Sequence, residues 1–107
     1  MSFKFTRVDK ISELPGPIKE HVRNFVSNRF TQYNILLEAI DDEDFEEVRL
    51  FCHAQLGVAA SYHCYKLEEI TSYIQECARQ ETMKPIKEIL PILSKYLNDL
   101  KVESSKY

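Results

Sequence analysis

The chain reads as all-α, an antiparallel four-helix bundle with up-down-up-down connections, and three observations lead there. Two glycines and four prolines in 107 residues supply too little turn punctuation for an all-β domain. Apolar residues recur at helical rather than alternating spacing along most of the chain. The segments so marked are joined by short links, and amphipathic helices on short links pack as antiparallel neighbours.

The elements follow in order. Ile18, Val22, Phe25, Val26, Phe30, Tyr33, Leu36, Leu37 and Ile40 share one face of a first helix over about 17–40. Pro15-Gly16-Pro17 opens it, because the first turn has no use for the N–H that proline lacks. The acidic run Asp41-Asp42-Glu43-Asp44 closes it, and Asp42 or Asp44 can cap a second helix over about 45–62. A third spans about 66–80, with Leu67, Ile70, Ile74 and Cys77 on one face. A fourth spans about 84–102 on Ile86, Ile89, Leu90, Leu93, Leu97 and Leu100. Pro91 falls inside this helix and is expected to bend it or remove one hydrogen bond. Glu-Ser-Ser-Lys-Tyr at 103–107 reads as a frayed tail. No repeat, linker or low-complexity segment divides the chain, so residues 1–107 are expected to form one domain.

Charge and cysteine usage narrow the function. Lys and Arg number 14 against 17 Asp and Glu, a net charge of −3 without the basic stripe that nucleic-acid binding needs. No apolar run approaches the roughly 20 residues of a membrane span. The opening MSFKFTRVDKISEL lacks the apolar core of a signal peptide. Three cysteines, at 52, 64 and 77, are an odd set without a C-x-x-C pair, which points to a reduced, cytoplasmic setting. Cys52, His53, His63 and Cys64 invite a metal reading. Positions 52 and 63, however, lie about 16 Å apart along one helix. The ligands of one zinc must all lie within about 2.0–2.3 Å of it. No metal is expected.

The candidate site lies in FCHAQLGVAASYHC, residues 51–64. On a helical wheel Val48, Phe51, Cys52, Gln55, Val58, Ala59 and Tyr62 form the core stripe. His53 falls off that stripe, beside Arg49, Leu50, Glu46, Gly57 and Ala60. An ordinary exposed face would carry Lys, Glu or Gln, whereas this one runs through Ala54, Gly57, Ala60 and Ser61. A mid-helix glycine costs about 1 kcal/mol relative to alanine. Close approach of another molecule would justify it, as would a helix–helix contact. From spacing alone, Leu50, Ala54, Leu56, Gly57 and Ala60 make a docking surface around a histidine. His21 reads as an ordinary polar-face residue and Tyr62 as packing.

This stretch resembles histidine-containing phosphotransfer (HPt) domains, which typically run His-x-Leu-Lys-Gly-x-x-x-x-Tyr-Gly. His53, Gly57 and Ser61-Tyr62 carry the likeness here, followed by Leu67 and a further amphipathic helix. Upstream, FVSNRF and DDEDFEEVRLFCH resemble the family's first helix and the approach to its histidine. Downstream, LEEITSYIQECARQ and ILPILSKYLNDL resemble its closing helices. The likeness covers about residues 18–100. Three positions depart from the pattern: Leu56 stands where lysine is usual, Gln55 where leucine is, and His63 where the second glycine is.

The resemblance implies a phosphocarrier without kinase activity of its own. His53 would accept a phosphoryl group from the aspartate of a response-regulator receiver domain and pass it to another receiver. It implies no cofactor on this chain, since Mg²⁺ belongs to the receiver, and a hybrid histidine kinase as a further partner. The imidazole must be neutral to attack, and histidine's ordinary pKa of about 6.5 provides that near pH 7. With a hairpin turning near residue 64, position i sits level with roughly 128 − i. Gln75 then lies beside His53, and Arg79 beside Arg49. Family members often carry a polar and a basic side chain at those two places. Gln75 is therefore expected to orient the ring, and Arg79 with Arg49 to substitute in part for the missing lysine. Most surface arginines instead pair with a nearby carboxylate, here Glu46 or Glu76. A monomer with a small, transient interface is expected. The rival reading is an adaptor that binds a receiver or kinase through the same face without being phosphorylated, and Leu56 favours it.

Overall fold

A computed structural model describes residues 3–107, and among them the only regular structure is helical. The α-helices are α1 (Gly16–Lys19), α2 (Val22–Asp41), α3 (Phe45–Ala59), α4 (Tyr65–Arg79) and α5 (Met83–Ser104), with short 3-10 turns at Ile11–Glu13 and Ala60–Tyr62. α3 packs along α4 and against α2, while α5 packs against α2 and α4. Leu36 of α2, Val48 of α3, Ile70 and Ile74 of α4, and Ile86, Ile89 and Leu93 of α5 form the sealed centre. These are the positions that the 3.6-residue spacing marks, so burying that stripe is what holds the helices together. None of the described helices is long and apolar enough to cross a membrane.

The three links between the long helices share one construction. Glu43, His63 and Glu81 each adopt a left-handed backbone, with φ of 52°, 56° and 55°. In each link the following residue donates back five positions: Asp44 to Ala39, Cys64 to Ala59 and Thr82 to Cys77, at 2.9–3.0 Å. Such paired bonds close a helix end by satisfying its last carbonyls. The closing residue is ordinarily glycine, which explains how so glycine-poor a chain makes tight turns only at some conformational cost.

Two expectations change. The first helix is interrupted: the His21 N–H turns to the Ile18 carbonyl at 3.0 Å, a tighter turn that separates α1 from α2. Ile18, counted on the core stripe, is accordingly exposed. The tail is docked rather than frayed. Ser104 is buried within α5, the Ser105 carbonyl accepts from Arg23 at 2.8 Å, and the Lys19 ammonium lies 5.9 Å from the centre of the Tyr107 ring. α5 itself runs on through Pro91.

The segment before α1 is also docked. Phe3 meets Phe5 and Tyr73 edge-on, and Phe5 lies against Tyr96. Asp9 accepts from the Lys66 N–H at 2.9 Å and from the Tyr96 hydroxyl at 2.7 Å. Its carboxylate thereby caps α4, whose own N-cap residue, Cys64, makes no side-chain capping bond.

Candidate functional site

α3 forms because Asp44 caps it, accepting from the Glu47 N–H at 3.1 Å, and because Glu46 and Glu47 complement its positive end. Its buried face carries Val48, Phe51, Cys52, Gln55 and Ala59. His53 stands on the opposite side, exposed, as are Ala54, Gly57 and Ala60. Leu50 is 56% exposed, and Leu56 is half-buried. Among the described residues no group hydrogen-bonds the His53 ring. A Cβ built on Gly57 would meet nothing within 4 Å. Among the described residues the glycine therefore makes room for no other element, which removes the helix–helix explanation for it.

α4 packs along α3. Arg49 Nη1 reaches across to α4 and donates to the Ala78 carbonyl at 3.5 Å. Gln75 is half-buried on that helix and makes no hydrogen bond to His53. Arg79 pairs with Glu76 at 3.3 Å, both side chains more than half exposed. The arginines expected to supply positive charge thus rest on other acceptors, one a carbonyl and one a carboxylate. Each contact is weak: 3.5 Å is at the limit for a hydrogen bond, and exposed ion pairs contribute about 0–1 kcal/mol.

Beneath this face Gln55 is 1% exposed, and its Oε1 accepts from Arg29 Nη1. Arg29 also donates to the Phe25 carbonyl at 3.2 Å, and its guanidinium lies 4.7 Å from the centre of the Phe25 ring. Phe25 stacks on Tyr62 with centroids 4.1 Å apart. A polar residue at a core position is tolerated because a cation on α2 reaches it. Its Nε2 is left without a partner. Sequence reasoning missed Arg29, although its place on the α2 core period, facing a polar residue on the α3 core period, is a readable signal.

The remaining chemistry-bearing side chains are structural. Cys52, Cys64 and Cys77 are free and buried, and burial pushes the Cys52 and Cys64 thiols up to about 12, away from nucleophilic use. His63 closes the 3-10 turn that follows α3, and its Nδ1 lies 3.1 Å from the Lys10 carbonyl. His21 is exposed ahead of α2. Among the described residues no three His, Cys, Asp or Glu side chains converge as a metal site would require. No protein-family model, curated protein or solved structure matches this chain.

Proposed function

We propose that this chain is an HPt-like phosphocarrier in which His53 relays a phosphoryl group between receiver-domain aspartates. One observation carries the reading. An exposed imidazole with no hydrogen bond among the described residues sits beside Ala54, Gly57 and Ala60, and a Cβ on that glycine would meet nothing within 4 Å. The circuit of α2, α3, α4 and α5 as successive neighbours is compatible with an antiparallel up-down bundle, the architecture this reading needs.

In the reaction a neutral imidazole nitrogen of His53 attacks the phosphorus of the partner's aspartyl phosphate. The N–P bond forms as the P–O bond to the aspartate breaks, and the carboxylate leaves with the electron pair. Transfer of this kind rests on positioning and charge stabilisation rather than on further covalent chemistry. Leu50, Ala54, Leu56, Gly57 and Ala60 seat the receiver, which brings the Mg²⁺. A hybrid histidine kinase supplies the upstream receiver or its phosphate. Buried, unpaired thiols fit a reducing cytoplasm, and the chain works as a monomer.

A second reading has its own support. Leu56 replaces the usual lysine, and Arg49 and Arg79 rest on Ala78 and Glu76. An adaptor would bind a receiver through the same face and never carry the phosphoryl group. Incubation with a phosphorylated receiver separates the two. The relay gives an acid-labile, base-stable label that His53→Ala abolishes while keeping the helical signal. Binding without label leaves the adaptor, and neither label nor binding ends both readings.

A further inference from the structure

A second surface lies on the α2–α5 side, whereas His53 stands on the α3–α4 side. Arg23, Val26, Ser27 and Phe30, spaced i, i+3, i+4 and i+7 along α2, face Lys101 and Ser104 of α5 across a recess of about 440 Å³. That volume falls in the range of small-molecule sites, about 300–1,000 Å³. Val26 is buried and Phe30 half-buried at its base, so the floor is apolar.

The charge is one-sided. Both ionisable side chains that line the recess, Arg23 and Lys101, are cations. Neither is in an ion pair among the described residues, where Arg7, Arg79, Lys95 and Lys106 take the carboxylates. Arg23 spends one N–H on the Ser105 carbonyl, and the Lys101 ammonium lies 5.8 Å from the Phe30 ring centre. The end of α5 would repel an anion through its free carbonyls. The last four are already engaged, Lys101 O by the Ser104 hydroxyl at 2.8 Å, Val102 O by the Ser105 hydroxyl at 2.6 Å, and Glu103 O and Ser104 O by the N–H groups of Lys106 and Tyr107. By contrast, the recess under the N-terminal segment is lined by Asp9, Asp99 and Glu103 with only Lys66. Another beside Phe5 holds the Lys95–Asp99 pair at 2.9 Å.

We propose that the α2–α5 recess binds an amphipathic carboxylate, a small molecule whose apolar body lies on Val26 and Phe30 and whose single anionic end meets Arg23 and Lys101. The probe is octanoate, followed by amide chemical shifts of the full chain, with 1-octanol and acetate as controls for body and charge. Saturable shifts centred on Val26, Ser27, Phe30, Lys101 and Ser104 are expected, with a dissociation constant below about 10 mM. Octanol should bind roughly fivefold or more weakly, and acetate should leave these amides unmoved. The double variant Arg23→Gln/Lys101→Gln should bring octanoate to the affinity of octanol. Ser27→Trp, a change at an exposed position that fills the recess, should abolish both. Equal affinity for octanoate and octanol, shifts centred elsewhere, or no saturation by that concentration would overturn the assignment.

Discussion

Gly57→Gln is expected to raise the stability of the fold while slowing exchange with a partner. Replacing glycine in a helix interior by a straight-chain residue yields about 0.5–1 kcal/mol. Gly57 lies in the last turn of α3, which ends at Ala59, so the lower figure applies. No steric term opposes it, because a Cβ there meets nothing within 4 Å. For a domain of about this size 1 kcal/mol moves Tm by roughly 4–8 °C, giving a rise of about 2–4 °C. On the partner's side the new side chain enters a contact fitted to a bare surface. Overpacking of this kind costs about 1–3 kcal/mol, or roughly fivefold to a hundredfold in affinity. Thermal unfolding followed by circular dichroism reads the first effect, and label transfer from a phosphorylated receiver reads the second. Gly57→Ala, which adds one methyl, should keep the gain and lose less transfer. A raised Tm with parental transfer would strip the bare face of its role, and a lowered Tm would show that the glycine serves the fold.

Four further outcomes follow from the same contacts. Glu43→Gly and Glu81→Gly should each raise stability in urea unfolding by up to about 1 kcal/mol, since the left-handed conformation costs a side-chain-bearing residue about 1–2 kcal/mol and added freedom in the unfolded chain offsets part of it; a loss at both sites would contradict the strain. Arg29→Met should cost about 1–3 kcal/mol by leaving Gln55 buried without a partner on either amide atom, and adding Gln55→Leu should recover most of that. A double variant no more stable than Arg29→Met would show that the pair is not the cause. Burial lifts the Cys52 and Cys64 thiols from 9.0 to about 12, so the folded state keeps protons that the unfolded chain loses. Their contribution is intact below about pH 9 and declines toward pH 12 by about 1.4 kcal/mol per pH unit for each thiol; Cys64→Ala should flatten that slope in denaturant titrations, and an unchanged slope would refute the linkage. Glu76→Gln frees Arg79 from its ion pair and should lengthen the lifetime of phosphorylated His53. Unchanged lifetimes in both Glu76→Gln and Arg79→Ala would remove that arginine from the site.

Helix positions were legible because a long amphipathic stripe needs no tertiary information. Expected spans at 45–62, 66–80 and 84–102 meet helical segments beginning at Phe45, Tyr65 and Met83. The break at His21 was hidden, since no glycine marks it and the proline at 17 suits the first turn of α1. The tail and the N-terminal segment were hidden for another reason. Ser105, Asp9 and Phe5 find their partners far along the sequence, the first in Arg23 and the other two in Tyr96, and no local period records such pairings. At the site, the wheel set His53 opposite the core stripe, and the Arg49 side chain reaches the Ala78 carbonyl on the neighbouring helix. What the wheel could not supply is rotamer choice. Arg79 turns to Glu76 on its own helix, three residues back, a contact that competes locally with anything across the hairpin.

The resting contacts of those two arginines decide how heavily the missing lysine counts. A phosphoryl group on His53 brings close to two negative charges to a face where Leu56 offers none in return. The guanidiniums of Arg49, one turn before His53 on α3, and of Arg79 on α4 are the cations that the relay reading would recruit. Holding them back are one long bond to a carbonyl at 3.5 Å and one exposed ion pair at 3.3 Å. An exposed pair contributes about 0–1 kcal/mol, and a phosphoryl group on the same exposed face carries about twice the charge of the carboxylate and more than the carbonyl offers. Exchange of either contact for the phosphoryl oxygens therefore runs downhill, provided the side chain spans the gap. On these magnitudes the relay reading does not need the lysine, because a cation one helical turn away can be recruited once the phosphoryl group arrives. The adaptor reading asks nothing of either arginine, since His53 then carries no phosphoryl group, and the Glu76→Gln lifetime therefore tests whether Arg79 serves the relay.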